Sequence, residues 1–420
     1  MNDARPIRAD RPRPSRVVVI NDHSTANGGT AALCLLSIRQ LRARGIPVTF
    51  VCGDAGENDD LRALGVEIAP LGSADLLQRP PWQTMAKGLH DPAARDLVAR
   101  IRDRHDGPGT VYHVHGWAQI LSPAIFTALR RVARRTVLHA HDTFLACPNG
   151  MYMDYRRNRV CHRVPLGVAC LATNCDKRSY AQKLWRVARH ATLFRCLDRR
   201  APWAGLVVIN PDVAPKITRA GYPESLLRVI RNPATPYTTR RIPAERNRRL
   251  VYVGRLERDK GVMDLVESAA RTGTPLRLIG DGALRDPIAR SHPQVELAGW
   301  QPPNRIGALV ADARALVMPS HHPEPFALVI PEAVQSGLPV LVSDTALLAP
   351  EIERLGAGLS FDVFDPASFD AAVTRLRDMP AAEIETMSRN ARSHGATLSS
   401  TTESWTEQLL DLYATALAPA

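Results

Sequence analysis

Residues 253–261, VGRLERDKG, and residues 321–340, HHPEPFALVIPEAVQSGLPV, decide the fold of this chain. The first stretch leaves the apolar run 250–253, which reads as the opening strand of a Rossmann-like domain. Arg255 and Lys260 then fall at the carboxyl edge, where such sheets bind ligands. A forked guanidinium beside an ammonium suits a nucleotide diphosphate. In the second stretch, Pro331 fits the first turn of a short helix, where its missing N–H costs nothing, and Gly337 ends that helix. Glu324 lies in the loop and Glu332 in the helix, so the two carboxylates do not share one proton or one metal. They fit opposite sides of a bound diphosphate, one near a sugar and one near the ribose hydroxyls. The N–H groups of the loop and helix start are expected to hold phosphate oxygens.

The pattern around these stretches is α/β throughout. Upstream, residues 16–21 (RVVVIN) form a β-branched strand, followed by a Gly-containing loop, a helix over 30–44, and a strand at 48–52. Further strands are expected at 66–69, 111–114, 136–139, 206–209 and 228–230. The Pro- and Arg-rich stretch 232–249 lacks periodicity and reads as a linker. Beyond it come a helix over 261–271 and strands at 276–279, 315–318 and 340–342. The expected architecture is α/β, with two Rossmann-like domains facing across a cleft. The divisions are a disordered basic leader at 1–16, a first domain at 17–240 with a Cys-rich insertion at 143–180, and a second domain at 241–394. The C-terminal helical stretch, 395–420, carries Trp405, Leu409, Leu412 and Tyr413 at helical spacing and is expected to pack back on the first domain.

Composition narrows the classes. The chain has 420 residues, 45% of them hydrophobic, enough for two cores. The leader has Arg and Pro but no apolar core of a signal peptide, so the expected compartment is the cytoplasm, with the inner membrane face as a peripheral location. The net charge of +12 favours phosphorylated substrates, anionic lipid or nucleic acid without choosing among them.

Histidines mark the first domain. His115 ends the strand in VYHVHG, and His141 with Asp142 ends the strand in VLHAHD, at the edge where polar groups meet ligands. His113 and His139 lie two residues earlier on the same faces and read as structural. Gly28 and Gly29 sit between a strand and a helix; any tight turn could account for the pair. Four of the seven cysteines, Cys147, Cys161, Cys170 and Cys175, fall in one short segment rich in Asn, Arg, Pro and Gly. Four thiolates suit a structural zinc in a loop that lacks a core; an iron–sulfur cluster is the lesser expectation. The following stretch, 178–200, is basic with interspersed apolar residues. It reads as a domain helix with a solvated Arg face, or as a helix lying on a lipid surface or gripping a lipid-linked phosphate.

Together these motifs resemble the family-4 retaining glycosyltransferases, which carry an E-x7-E pair (Glu324 and Glu332 here) and an upstream G-R-L-x(4)-G signature. The resemblance runs through Gly28-Gly29, HVHG, HAHD and nearly all of the second domain. It implies a GT-B fold and transfer of a sugar from a nucleotide-diphosphate donor of UDP, GDP or ADP type. It implies that Arg255 and Lys260 bind the diphosphate, Glu324 the sugar and Glu332 the ribose. It further implies that Gly28, Gly29, Phe326, Ala327 and Leu328 line the donor, that His115 lines the reaction centre, and that 295–300 passes near the base. The acceptor would be a glycan, a lipid-linked or a small molecule, in glycan or polysaccharide biosynthesis. Two departures stand out: Ala327 replaces the usual glycine after Phe326, and Leu347-Leu348-Ala349 replaces a glycine pair.

Catalysis of this kind is electrostatic and needs no metal; no Asp-x-Asp motif is present. Two alternatives compete. A nucleic-acid-binding protein built on the Cys module would interleave aromatic and basic residues in one place, whereas here the charge is spread. A sugar-nucleotide epimerase on the same architecture would not need the E-x7-E pair.

Overall fold

The computed structural model describes residues 11–418. Most of the expected leader, 1–10, lies outside them. Two units separate by their contacts: residues 11–150, 163–230 and 403–418 form the first, and residues 151–162 and 231–402 the second.

The first unit is built on seven strands, β1 (Arg16–Asn21), β2 (Val48–Cys52), β3 (Glu67–Pro70), β4 (Thr110–Val114), β5 (Thr136–Ala140), β8 (Gly205–Val208) and β9 (Leu227–Val229), in the order β3-β2-β1-β4-β5-β8-β9. Every pairing is parallel. The central strands are Val-, Ile- and Leu-rich and buried along their length, as a sheet covered on both faces requires. Two very short strands, β6 (Met153–Asp154) and β7 (Arg159–Val160), pair antiparallel as a hairpin. That hairpin groups with the second unit, so the expected insertion at 143–180 is not wholly part of the first domain.

The second unit holds β10 (Arg249–Val253), β11 (Leu276–Ile279), β12 (Glu296–Gly299), β13 (Ala313–Met318), β14 (Val340–Ser343) and β15 (Gly358–Phe361), parallel in the order β12-β11-β10-β13-β14-β15. In both sheets the order doubles back beside the first strand, which opens a crevice at the carboxyl edge. The units part between Ile230 and Arg231, ten residues before the expected boundary at 240/241, so the Pro- and Arg-rich stretch 232–249 groups with the second unit.

The chain returns to the first unit at its end. The helix Thr402–Leu417 buries Trp405, Leu409, Leu412 and Tyr413 in the same core as Val17, Val19, Val48 and Phe50. Gly205 on β8 leaves room for it, since a Cβ there would stand 3.0 Å from Leu412 Cδ1.

Candidate functional site

In the second unit the site grows from the carboxyl ends of β10, β13 and β14. The loop after β13 is pinned by its backbone: the Ser320 carbonyl accepts hydrogen bonds from Ser343 Oγ (2.9 Å) and Thr345 Oγ1 (2.8 Å), both buried. Glu324 is thereby placed among donors. Lys260 Nζ donates to its Oε1, Ser320 Oγ donates to the same oxygen at 3.1 Å, and His322 Nε2 lies 3.1 Å away. Burial opposes ionisation of Glu324, but the His322 hydrogen bond and the Lys260 charge overcome it and hold the carboxyl well below the usual carboxylate range. Lys260 reaches Glu324 because Gly261 lets the chain pass close to β13. Gly261 has φ +67°, and a Cβ there would overlap the Pro319 carbonyl oxygen. Lys260, expected on a diphosphate, is thus engaged with the carboxylate of the pair.

Glu332 is in a different setting. It lies on the helix Val329–Gln335, hydrogen-bonded to the Tyr237 hydroxyl, and burial pushes its carboxyl up to about 7 despite that bond. One glutamate is therefore locked as an anion while the other titrates near neutrality. Arg255 is two-thirds exposed, with Nη1 2.8 Å from Glu257 Oε1. Phe326 is buried, so its side chain is not a surface for a ligand. Leu328 caps the helix, and Ala327 has φ +46°. The helix has only seven residues, and the Ile330 N–H already donates to Ala327 O (2.8 Å) and the Glu332 N–H to Leu328 O (3.2 Å). The expected phosphate grip by free N–H groups at this helix start is correspondingly reduced.

In the first unit, adjacent β4 and β5 stack four imidazoles. His115 Nδ1 is 2.9 Å from His141 Nε2, and His113 Nε2 is 3.2 Å from His139 Nδ1. Ring centroids are 4.0 Å apart for His113–His115 and 3.9 Å for His139–His141. Burial drives all four towards the neutral form, with His113 and His141 lowered to about 3. One nitrogen from each of His113, His115 and His139 lies within 4.8 Å of the others. His113 and His139, deeply buried as the structural reading expects, belong to one cluster with His115. His113 Nδ1 also meets the Tyr413 hydroxyl at 2.6 Å. Burial lifts the Asp142 carboxyl to about 6, with the nearby Asp22 adding to the effect against the Phe144 N–H bond. Asp22, which no motif marked, accepts the N–H groups of Gln119, Ile120 and Leu121 at 2.8–2.9 Å and so shapes the loop after His115.

Gly28 precedes the helix Gly29–Ala43 with extended backbone (φ 168°), and a Cβ there would meet nothing within 4 Å. Neither a tight turn nor packing within the protein accounts for a glycine at this position. Among the cysteines, Cys147, Cys170 and Cys175 lie in the first unit and Cys161 on the 151–162 hairpin of the second; all are buried thiols. The basic stretch forms the helix Tyr180–Leu197, but its basic residues are not all solvated: Lys183 and Arg189 are buried, as is His190, which burial holds neutral. Arg189 lies over the Trp117 and Trp185 rings and donates to the Gly88 carbonyl. Ser320, His322 and Tyr237, which orient the two glutamates, escaped the sequence reading; only His322, two residues before Glu324 in HHPEP, left a legible trace.

Residues 239–394 match the family model described as glycosyl transferases group 1. The matched segment carries Arg255, Lys260, Glu324 and Glu332. The chain is also 29% identical over 269 residues to a glycogen synthase of Mycobacterium tuberculosis, covering 59% of this chain and 62% of that protein. It thus spans under two thirds of the curated relative it matches. Similar solved structures include Anabaena HepE in complex with UDP (TM-score 0.62, 18% identity, 94% of this chain and 98% of that one). A sucrose-phosphate synthase from Thermosynechococcus elongatus has TM-score 0.69 at 17% identity, over 95% and 98%. At these identities the likeness establishes the fold, which is GT-B.

Proposed function

We propose that this protein is a retaining glycosyltransferase that moves a sugar from a nucleotide-diphosphate donor to an acceptor hydroxyl in glycan biosynthesis. The observation that carries the reading is the Glu324 environment: a buried carboxylate held ionised by His322 and Lys260 and hydrogen-bonded by Ser320, in the segment that matches the group 1 family. Such a group accepts hydrogen bonds from sugar hydroxyls without changing its own protonation. Arg255, tied only to an exposed partner, is free to exchange Glu257 for the donor diphosphate, since exposed ion pairs are worth little. Lys260 both fixes Glu324 and adds positive charge beside the leaving group. Glu332 takes the ribose hydroxyls. On the first unit, neutral His115 serves the reaction centre, and the bare Gly28-Gly29 backbone at a fifteen-residue helix start donates N–H groups to a phosphate or acceptor oxygen.

In the transfer, the bond from the anomeric carbon to the diphosphate oxygen breaks and the acceptor oxygen bonds on the same face. The acceptor proton passes to the departing diphosphate. Catalysis then comes from charge already in place for that leaving group. UDP in the HepE structure supports a nucleotide-diphosphate donor as a class. Incubation with UDP-glucose, GDP-mannose and ADP-glucose, with anomeric products followed by proton NMR, tests the reading. One donor should be consumed with retained configuration. Inverted product refutes the retaining assignment, and consumption of none with no nucleotide binding refutes the function.

A lipid surface is the proposed place of work. Leu77, Trp82, Met85, Val168, Leu171, Tyr180 and Leu184 are large apolar residues exposed to solvent. Their elements are joined to one another: Trp185 Nε1 donates to Met85 O at 3.2 Å, and the Tyr180 hydroxyl to Leu171 O at 2.7 Å. Exposed Lys87, Lys177 and Arg178 accompany them, which suits anionic headgroups. Among the described residues no helix is long and apolar enough to cross a membrane.

A further inference from the structure

Lys183 is a deeply buried cation of the first unit. It sits in the helix Tyr180–Leu197 with a relative exposure of 1%. Its ammonium lies 3.3 Å from Cys170 Sγ, and its electrostatic partners are Cys170 and Cys175. A buried ammonium needs a negative counter-charge, and here the groups in that place are sulfurs.

The sulfurs are also knit together. Asn149, itself buried, accepts from Cys147 Sγ at 3.1 Å through Oδ1 and lies 3.7 Å from Cys175 Sγ through Nδ2. Cys147, Cys175 and Cys170 are therefore linked through Asn149 and Lys183, with exposures of 7%, 5% and 8%. Residues 143–150 close by turns, with Cys147 N–H on Thr143 O and Gly150 N–H on Cys147 O, both 2.8 Å. The short helix Val168–Leu171 has four residues and leaves Val168 85% exposed. Arg186 Nε meets Asp176 Oδ2 at 2.9 Å and ties the segment to the long helix just beside Cys175.

We propose that Cys147, Cys170 and Cys175 are ligands of a structural divalent metal of the zinc class, with Lys183 donating to the sulfurs of Cys170 and Cys175, Asn149 Nδ2 donating to that of Cys175, and Cys147 exchanging its bond to Asn149 Oδ1 for the metal. The charge balance supports it. Three thiolates around a divalent cation carry one net negative charge, which the Lys183 ammonium cancels, so the buried group is neutral as a whole. Each thiol that binds gives its proton to solvent. Soft sulfur donors select zinc over the oxygen-seeking cations, and a buried ammonium and amide aimed at the sulfurs are the outer donors that orient such ligands. The inference concerns a loop and not the transfer chemistry, so it stands or falls separately from the proposed activity.

The test is elemental analysis of the full chain, together with thiol titration and cobalt substitution. About one zinc per chain is expected, with cobalt exchange producing sulfur-to-metal charge-transfer absorption in the near ultraviolet. Cys147→Ser, Cys170→Ser and Cys175→Ser should each lose the metal. Because such variants can simply misfold, Lys183→Met supplies a second reading: ligands intact, but zinc affinity against a competing chelator lowered about 10–100-fold, with Lys183→Arg closer to wild type. Wild-type protein without metal, whose three thiols react freely in the native state, overturns the proposal. So does iron with acid-labile sulfide, or Lys183→Met with unaltered zinc affinity.

Discussion

Ala327 occupies a left-handed backbone conformation, φ +46°, in the turn that delivers Glu324 to the helix carrying Glu332. A Cβ there costs about 1–2 kcal/mol, and glycine would relieve it at an unfolded-state cost of about 0.4–1 kcal/mol. Ala327→Gly should therefore stabilise the second unit by about 0.5–1 kcal/mol in denaturant melts; a loss of stability would contradict the strain. Glu332 makes the opposite kind of statement. Its folded carboxyl, raised to about 7 by burial, lies above its unfolded value. The folded state then holds a proton that the unfolded state has released, so this contribution is complete below the unfolded value and fades as pH climbs through about 7. Melts between pH 5 and 8 should show that loss in wild type and a flatter profile in Glu332→Gln. Glu324→Gln tests the anion itself. Nucleotide binding by calorimetry should change little, while turnover falls by two or more orders of magnitude, because the lost charge acts where sugar and diphosphate separate.

At the scale of elements, the helix Thr402–Leu417 behaves as a missing piece of the first core. Trp405 is fully buried among first-unit residues, so Trp405→Ala should cost about 3–5 kcal/mol and unfold that unit first. Tyr413→Phe should cost only about 1 kcal/mol, the worth of its bond to His113. Fluorescence and circular dichroism melts would separate the two, and a silent Trp405→Ala would show the helix to be dispensable. The sheet elements were unevenly legible. Long β-branched runs such as 16–21 and 48–52 announced themselves, whereas β12 and β15 did not. Each is four residues long, contains a glycine and is only partly buried, so its composition carries too little pattern.

For the whole molecule, the surplus of twelve positive charges acquires meaning only beside the exposed apolar residues of the first unit. Flotation with vesicles containing anionic lipid should recover the full chain, and neutral vesicles should recover much less. Trp82→Ser with Met85→Ser should reduce recovery about tenfold or more, since each exposed side chain contributes about 1.5–3 kcal/mol when buried in an apolar phase. Raised salt should weaken the remainder. Equal recovery of wild type and double variant would remove this surface from consideration.

What the sequence determined by itself was the alternation of buried strands with helices and the loops that carry Arg255, Glu324, His115 and His141. These follow from local rules, because apolar period and turn residues say which face is buried and where a strand ends. Only the tertiary structure decided who meets whom. Lys260 pairs with Glu324 across 64 positions and Tyr413 with His113 across 300. Lys183 turns inward to sulfur although it belongs to a basic stretch that reads as solvated. The pairing of β4 with β5 joins four histidines into one neutral stack. Such contacts depend on strand order and on what each helix is packed against, quantities that no local window of sequence contains, and they set the charge of Glu324, Glu332 and His115.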